Sequence, residues 1–178
     1  MFAIVLAALD RSGSVLPILC AMAVHELAHV VMMLACGGQV RRLTLRFADL
    51  QIAASGLGYR QELLSALAGP LVNLICGAAF CMQRPSFAAY SLMLGIYNLL
   101  PVWPLDGGRM SRCVLLARLP ITQAEHISEI VSFAACAVLL LIGVFLTFFR
   151  KSGLWPLGTA AYLTVRLLML ARRTDAVQ

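Results

Sequence analysis

Charge is scarce in these 178 residues: only eight are acidic, and Asp, Glu, Lys and Arg together make up 12% of the chain. A soluble domain is typically about a quarter charged, so an ordinary water-facing surface is excluded. What fills the space is apolar, at 61% of residues with a mean hydropathy of +0.89, and the chain reads as an integral membrane protein. No polar segment is long enough for a second domain, which predicts a single membrane domain over 1–178. The opening residues, MFAIVLAAL, lack a basic leader and a small-residue cleavage site, so they read as a short first span rather than a signal peptide. The cysteines, Cys20, Cys36, Cys76, Cys81, Cys113 and Cys136, form no C-x-x-C pair. Small buried hydrophobes are therefore expected, not disulfides or metal ligands.

Apolar segments fall at residues 2–9, 14–36, 61–82, 86–105, 127–149 and 153–171. They predict a mainly α, multi-pass helix bundle of about six membrane segments in the cell membrane. With alternating crossings, one side receives Arg41, Arg42, Arg46, Arg60, Arg109, Arg112, Arg118, Arg172 and Arg173. The other receives Arg11, Arg84, Arg150 and Lys151. The richer side, which also holds the C-terminus, is cytoplasmic by the positive-inside rule. The net charge of +6 is then a matter of topology at the lipid bilayer, and no nucleic-acid partner is called for.

Between the first two full spans, Leu43, Leu45 and Phe47 alternate with Arg42, Thr44 and Arg46. Period two predicts a strand, and Ala48-Asp49 before Leu50-Gln51-Ile52 a turn, giving a small β-hairpin. It either lies as an amphipathic hairpin on the cytoplasmic surface or offers the Leu43, Leu45 and Phe47 edge to an extended substrate peptide.

The run from Ser14 to Cys36 is uncharged except for His25-Glu26-Leu27-Ala28-His29. Residues four apart share a helix face, so His25 and His29 can bind one zinc ion with Glu26 beside it as general base. Catalytic zinc normally takes three protein ligands and keeps a position for water. Asp10, Glu62, Glu125, Glu129 and Asp175 sit at segment ends or in polar connections, where solvated charge is the ordinary explanation. Asp49 has the spacing of a soluble protease ligand but falls at a strand turn. Asp106 is the better third ligand, in NLLPVWPLDGGR at 98–109, where Pro101, Pro104, Gly107 and Gly108 interrupt an apolar span. Broken backbone at membrane depth is tolerated where it lines a polar cavity or is buried in protein. Depth agrees: His25 to Cys36 rises about 16 Å and Asp106 to Arg118 about 18 Å, if Gly108 to Leu119 is the helical half of a broken span.

HELAH, AGPLVN at 68–73 and NLLPVWPLDGGR, in this order within apolar spans, resemble the site-2 protease family of intramembrane zinc metalloproteases. The wording and spacing are nearest the family's sporulation branch, which processes a sigma-factor precursor. The resemblance covers essentially the whole chain. It implies His25, His29 and Asp106 as ligands of one zinc ion, Glu26 as the base, and Asn98 as a group that positions substrate or stabilises the oxyanion. It also implies membrane-bound inhibitory or regulatory partners. The sporulation branch ends in a nucleotide-sensing domain of the CBS type, which this sequence is expected to lack, as it lacks a PDZ-like insertion.

The expected activity is hydrolysis of a peptide bond in a membrane-associated protein, with processing of a sigma-factor precursor as the first substrate class. A housekeeping enzyme trimming membrane peptide remnants is the runner-up. A zinc-binding membrane protein without proteolysis is the alternative from another class, and Glu26 argues against it, because a pure binding site needs no adjacent base. Weakly helical, Gly- or Pro-containing segments are the expected cleavage sites, since helical carbonyls are held by their own backbone. Asn73 reads as an interhelical hydrogen-bonding group, Gly69, Gly77 and Ala78 as close-packing positions and Pro70 as a kink. His126 reads as solvated or interfacial, and Arg109 and Arg112 as lining the water entrance or snorkelling to headgroups.

Overall fold

The computed structural model describes residues 13–46, 49–55, 58–148 and 155–175. The chain divides into two compact units, Met1–Leu99 and Leu100–Gln178. In the first, helix α1 (Val15–Ala35) leads into strands β1 (Gln39–Arg46) and β2 (Asp49–Ser55), then helices α2 (Tyr59–Ala79) and α3 (Pro85–Asn98). All three helices pack on one another. In the second, α5 (Ile121–Phe148) packs against both α4 (Asp106–Leu116) and α6 (Trp155–Asp175).

Among the described residues three helices, α1, α2 and α5, are long and apolar enough to cross a membrane. The segment expected at 86–105 is shorter as a helix. Pro85 at its first turn suits a helix start, and α3 ends at Asn98, since Pro101 and Pro104 cannot donate to a continuing ladder. Fourteen residues rise only about 21 Å, short of a hydrocarbon core of roughly 30 Å. The helix predicted from Gly108 begins at Asp106 instead, and α5 begins at Ile121, six residues before the expected span. The segment at 2–9 lies outside the described residues.

On α1, α2 and α5 most large apolar side chains point outward and most buried positions hold small or polar ones. On α1, Leu16, Leu27, Val31 and Leu34 are exposed, while Ala21, His25, His29 and Met33, four apart, are buried. On α2 the buried positions include Ser65, Ala66, Gly69, Asn73 and Gly77, and on α5 they include Ala124, Ser128, Ser132 and Cys136. Lipid rewards no burial of leucine against leucine, so helices associate through small residues that let backbones approach.

The end of α1 is closed by Gly37 at φ +80°, a left-handed conformation suited to glycine. Gly37 N–H donates to the Leu34 carbonyl and Gly38 N–H to the Met33 carbonyl, each at 3.0 Å, the paired bonds of a Schellman ending. Gln61 then joins the two ends of the β-excursion. Its Oε1 accepts the Gly58 N–H at 2.8 Å and its Nε2 donates to the Cys36 carbonyl at 3.0 Å.

Between these ends β1 and β2 pair antiparallel, with Leu43 opposite Ile52, Leu45 opposite Leu50 and Arg46 opposite Asp49. A bulge falls between Val40 and Arg42. Phe47, the third residue of the expected peptide-binding edge, lies outside the described residues.

In the second unit the chain folds back over the start of α4. Leu105 N–H donates to the Val102 carbonyl at 2.8 Å, and Trp103 N–H donates to Ser132 Oγ on α5 at 3.1 Å. A Cβ on Gly108 would stand 2.5 Å from Trp103 N and Val102 C, both backbone atoms. Gly108→Ala is therefore expected to displace this loop at a cost of about 1–3 kcal/mol, read as a lower melting temperature of the detergent-solubilised chain.

Candidate active site

Two imidazoles meet on the buried face of α1. His25 and His29 are 4% and 7% exposed, their Nε2 atoms are 3.1 Å apart and their rings stand edge to face. Glu26, one residue on from His25, is half-buried.

Helix α2 crosses this face with Ser65, Gly69 and Asn73, spaced by four so that all three meet the histidines. His29 Nδ1 donates to the Ser65 carbonyl at 2.7 Å, because a carbonyl can only accept. That fixes the proton of His29 on Nδ1 and leaves Nε2 as a lone pair. Asn73, on the same face two turns later, places Nδ2 3.2 Å from His25 Nδ1. Gly69 stands between them, and a Cβ there would fall 2.6 Å from His29 Cε1 and 2.9 Å from His25 Cε1. The absence of a side chain is what lets α2 lie against both rings.

The donor set fits zinc. Two nitrogens at about 2.0–2.1 Å from a tetrahedral ion stand about 3.3–3.4 Å apart, close to the separation of the two Nε2 atoms. The bond from His29 Nδ1 to Ser65 is the outer contact that metal-ligating histidines characteristically make, and it holds the ring in the metal-binding tautomer.

Asp106 belongs to the second unit. It opens α4, is 7% exposed, and has Arg109 Nη1 3.7 Å from Oδ1 one helical turn on. A carboxylate in the first turn of a helix is favoured by the amide ends gathered there. Among the residues whose side-chain burial is described, His25, His29 and Asp106 are the only buried acidic or basic side chains. Arg112, expected near a water entrance, pairs with Glu125 of α5 at 2.9 Å on the surface. His126 is exposed beside it. Asn98 closes α3, and its Nδ2 donates to the Leu94 carbonyl one turn back at 3.1 Å.

The sequence reading of Asn73 as an interhelical hydrogen-bonding group holds, but its partner is His25 itself. Gly69 was expected to allow close packing, and what it admits is the histidine pair. The pattern that could have revealed both is the spacing Ser65, Gly69, Asn73, one small or polar residue per turn in an otherwise apolar span.

Residues 84–142 match the model of peptidase family M50. A zinc metalloprotease of Methanocaldococcus jannaschii is 26% identical over 133 residues, 67% of this chain and 39% of the relative. The stage IV sporulation protein FB of Bacillus subtilis is 28% identical over 138 residues, 70% of this chain and 47% of the relative. The chain is thus similar, over part of its length, to zinc metalloproteases and to peptidase family M50. It spans less than half the length of these two curated relatives. The solved site-2 protease from Methanocaldococcus jannaschii superposes with a TM-score of 0.68 at 19% identity, covering 94% of this chain and 83% of that one. The two share a fold.

Proposed function

We propose that this chain is an intramembrane zinc endopeptidase in which His25, His29 and Asp106 hold one zinc ion and Glu26 is the general base. The observation that carries the reading is the buried histidine pair, with converging Nε2 atoms and a glutamate adjacent in sequence. Asp106 is assigned as third ligand because it is the one buried carboxylate among the residues whose side-chain burial is described, and it opens a helix after a proline-broken span.

Zinc, when bound, polarises the peptide carbonyl and brings the pKa of a bound water to about 7. Glu26 accepts the proton of the attacking water and returns it to the leaving amine. Ser65, through its carbonyl, keeps the His29 proton on Nδ1. Asn98, at the end of α3, is assigned to steadying the substrate or its oxyanion, which requires its amide to leave the Leu94 carbonyl. The β1 edge, with Leu43 and Leu45, is assigned to holding the unwound substrate as an added strand, together with Phe47, which follows β1 in sequence.

The substrate class assigned is a membrane-associated protein, first a sigma-factor precursor, on the likeness to the sporulation relative. Trimming of membrane peptide remnants is the second reading. The active-site entrance and C-terminus are assigned to the cytoplasmic side from the arginine distribution. Co-expression with a tagged sigma-factor precursor tests the substrate, and metal analysis of the purified Asp106→Ala protein tests the third ligand. Precursor cleavage by the parent, with zinc reduced by at least tenfold in Asp106→Ala, is the expected result. Cleavage of remnants alone would reject the precursor, and full zinc retention in Asp106→Ala would remove Asp106 from the ligand set.

A further inference from the structure

Asn73 is wholly buried in a membrane-spanning helix, and its Oδ1 has no hydrogen-bond partner. Its Nδ2 donates to His25 Nδ1. With Nδ1 accepting, the proton of a neutral His25 sits on Nε2, and from there it reaches His29 Nε2 at 3.1 Å. This arrangement satisfies both rings, but it is incompatible with metal binding. A ligating His25 needs a lone pair on Nε2, so its proton must move to Nδ1, and Nδ1–H then needs an acceptor.

The side chain that faces Nδ1 carries that acceptor. Turning the Asn73 amide by half a rotation exchanges Nδ2 for Oδ1, two atoms that differ in the bonds they make and hardly in position. The displaced Nδ2 then stands where Oδ1 stood, so the turn exchanges one unpartnered buried end of the amide for the other, and the state of His25 Nδ1 decides the orientation.

We infer that Asn73 is the positioning residue that sets the tautomer of His25: its amide donates to Nδ1 without metal and turns to accept the Nδ1 proton when zinc takes Nε2. This rests on the zinc-site reading above.

Zinc affinity of the full chain in detergent, measured by chelator competition for the parent, Asn73→Asp and Asn73→Leu, is the test. Asn73→Leu, which has no acceptor, is expected to bind zinc about 10–100-fold more weakly. Asn73→Asp, which keeps the acceptor and loses the donor, binds at least as tightly as the parent and gives the parent's cobalt absorption spectrum. Melting of the metal-free proteins separates this from a fold defect, which Asp would not rescue. Parent-like affinity in Asn73→Leu, or loss in Asn73→Asp equal to that in Asn73→Leu, overturns the inference. A parent that binds no zinc at all overturns the site reading on which it stands.

Discussion

Glu26→Gln is expected to leave zinc bound and to reduce peptide hydrolysis by about 10²–10⁴-fold, the usual contribution of a positioned general base. Glutamine has nearly the shape of glutamate, so the packing around a half-buried side chain on α1 is preserved. What it loses is the ability to take a proton from water and pass it on. In the proposed mechanism the same side chain acts twice, first as base and then as acid to the leaving amine, so no other residue need fail for both steps to stop. The measurement is cleavage of a tagged membrane-associated substrate by parent and variant at matched protein level, with zinc content determined on each. Undiminished cleavage would place the base elsewhere. A carrier or a pseudoprotease would tolerate the change, so the experiment also separates the enzyme from the non-proteolytic alternative.

How much of this site was legible beforehand depended on what lipid does to the pattern of a helix. His25, Glu26 and His29 stood out because ionisable groups are costly inside a span, and four-residue spacing put the histidines on one face. Asp106 stood out for the same reason, helped by Pro101 and Pro104, which mark the break that α3 and α4 show. The alternation of Leu43 and Leu45 with Arg42 and Thr44 was equally readable, and β1 pairs there with β2. The partners of the histidines were hidden. In a soluble helix the apolar stripe identifies the buried face, but on α2 apolar Leu64, Leu71 and Ile75 are exposed while Ser65, Gly69 and Asn73 are inside. Hydropathy therefore marks the side facing lipid and is silent about the side that builds the site. The start of α5 was missed likewise. Its first residues, ITQAEHIS, look polar enough for a loop, yet Ala124 and Ser128 open a buried small-residue face that continues through Ser132 and Cys136.

That inverted pattern makes Gly69→Ala the substitution with the largest expected effect on the metal. By helix propensity alone the change should help, by up to about 1 kcal/mol. The added methyl would instead enter the space of His29, 2.6 Å from Cε1, and of His25, 2.9 Å from its Cε1. Neither ring can swing aside without cost, since His29 is held by the Ser65 carbonyl and His25 lies against Asn73. Either α2 withdraws from α1, at about 1–3 kcal/mol for an overpacked contact, or the two Nε2 atoms part. Both outcomes misplace the ligands, so zinc binding is expected to fall by 100-fold or more and hydrolysis with it. Gly158→Ala on α6 is the matched control, because an added Cβ there meets nothing within 4 Å. It should keep parental zinc affinity and gain slightly in thermal stability. Chelator competition and thermal melting on both variants decide the matter: parental zinc affinity in Gly69→Ala would mean that α2 does not hold the histidine pair.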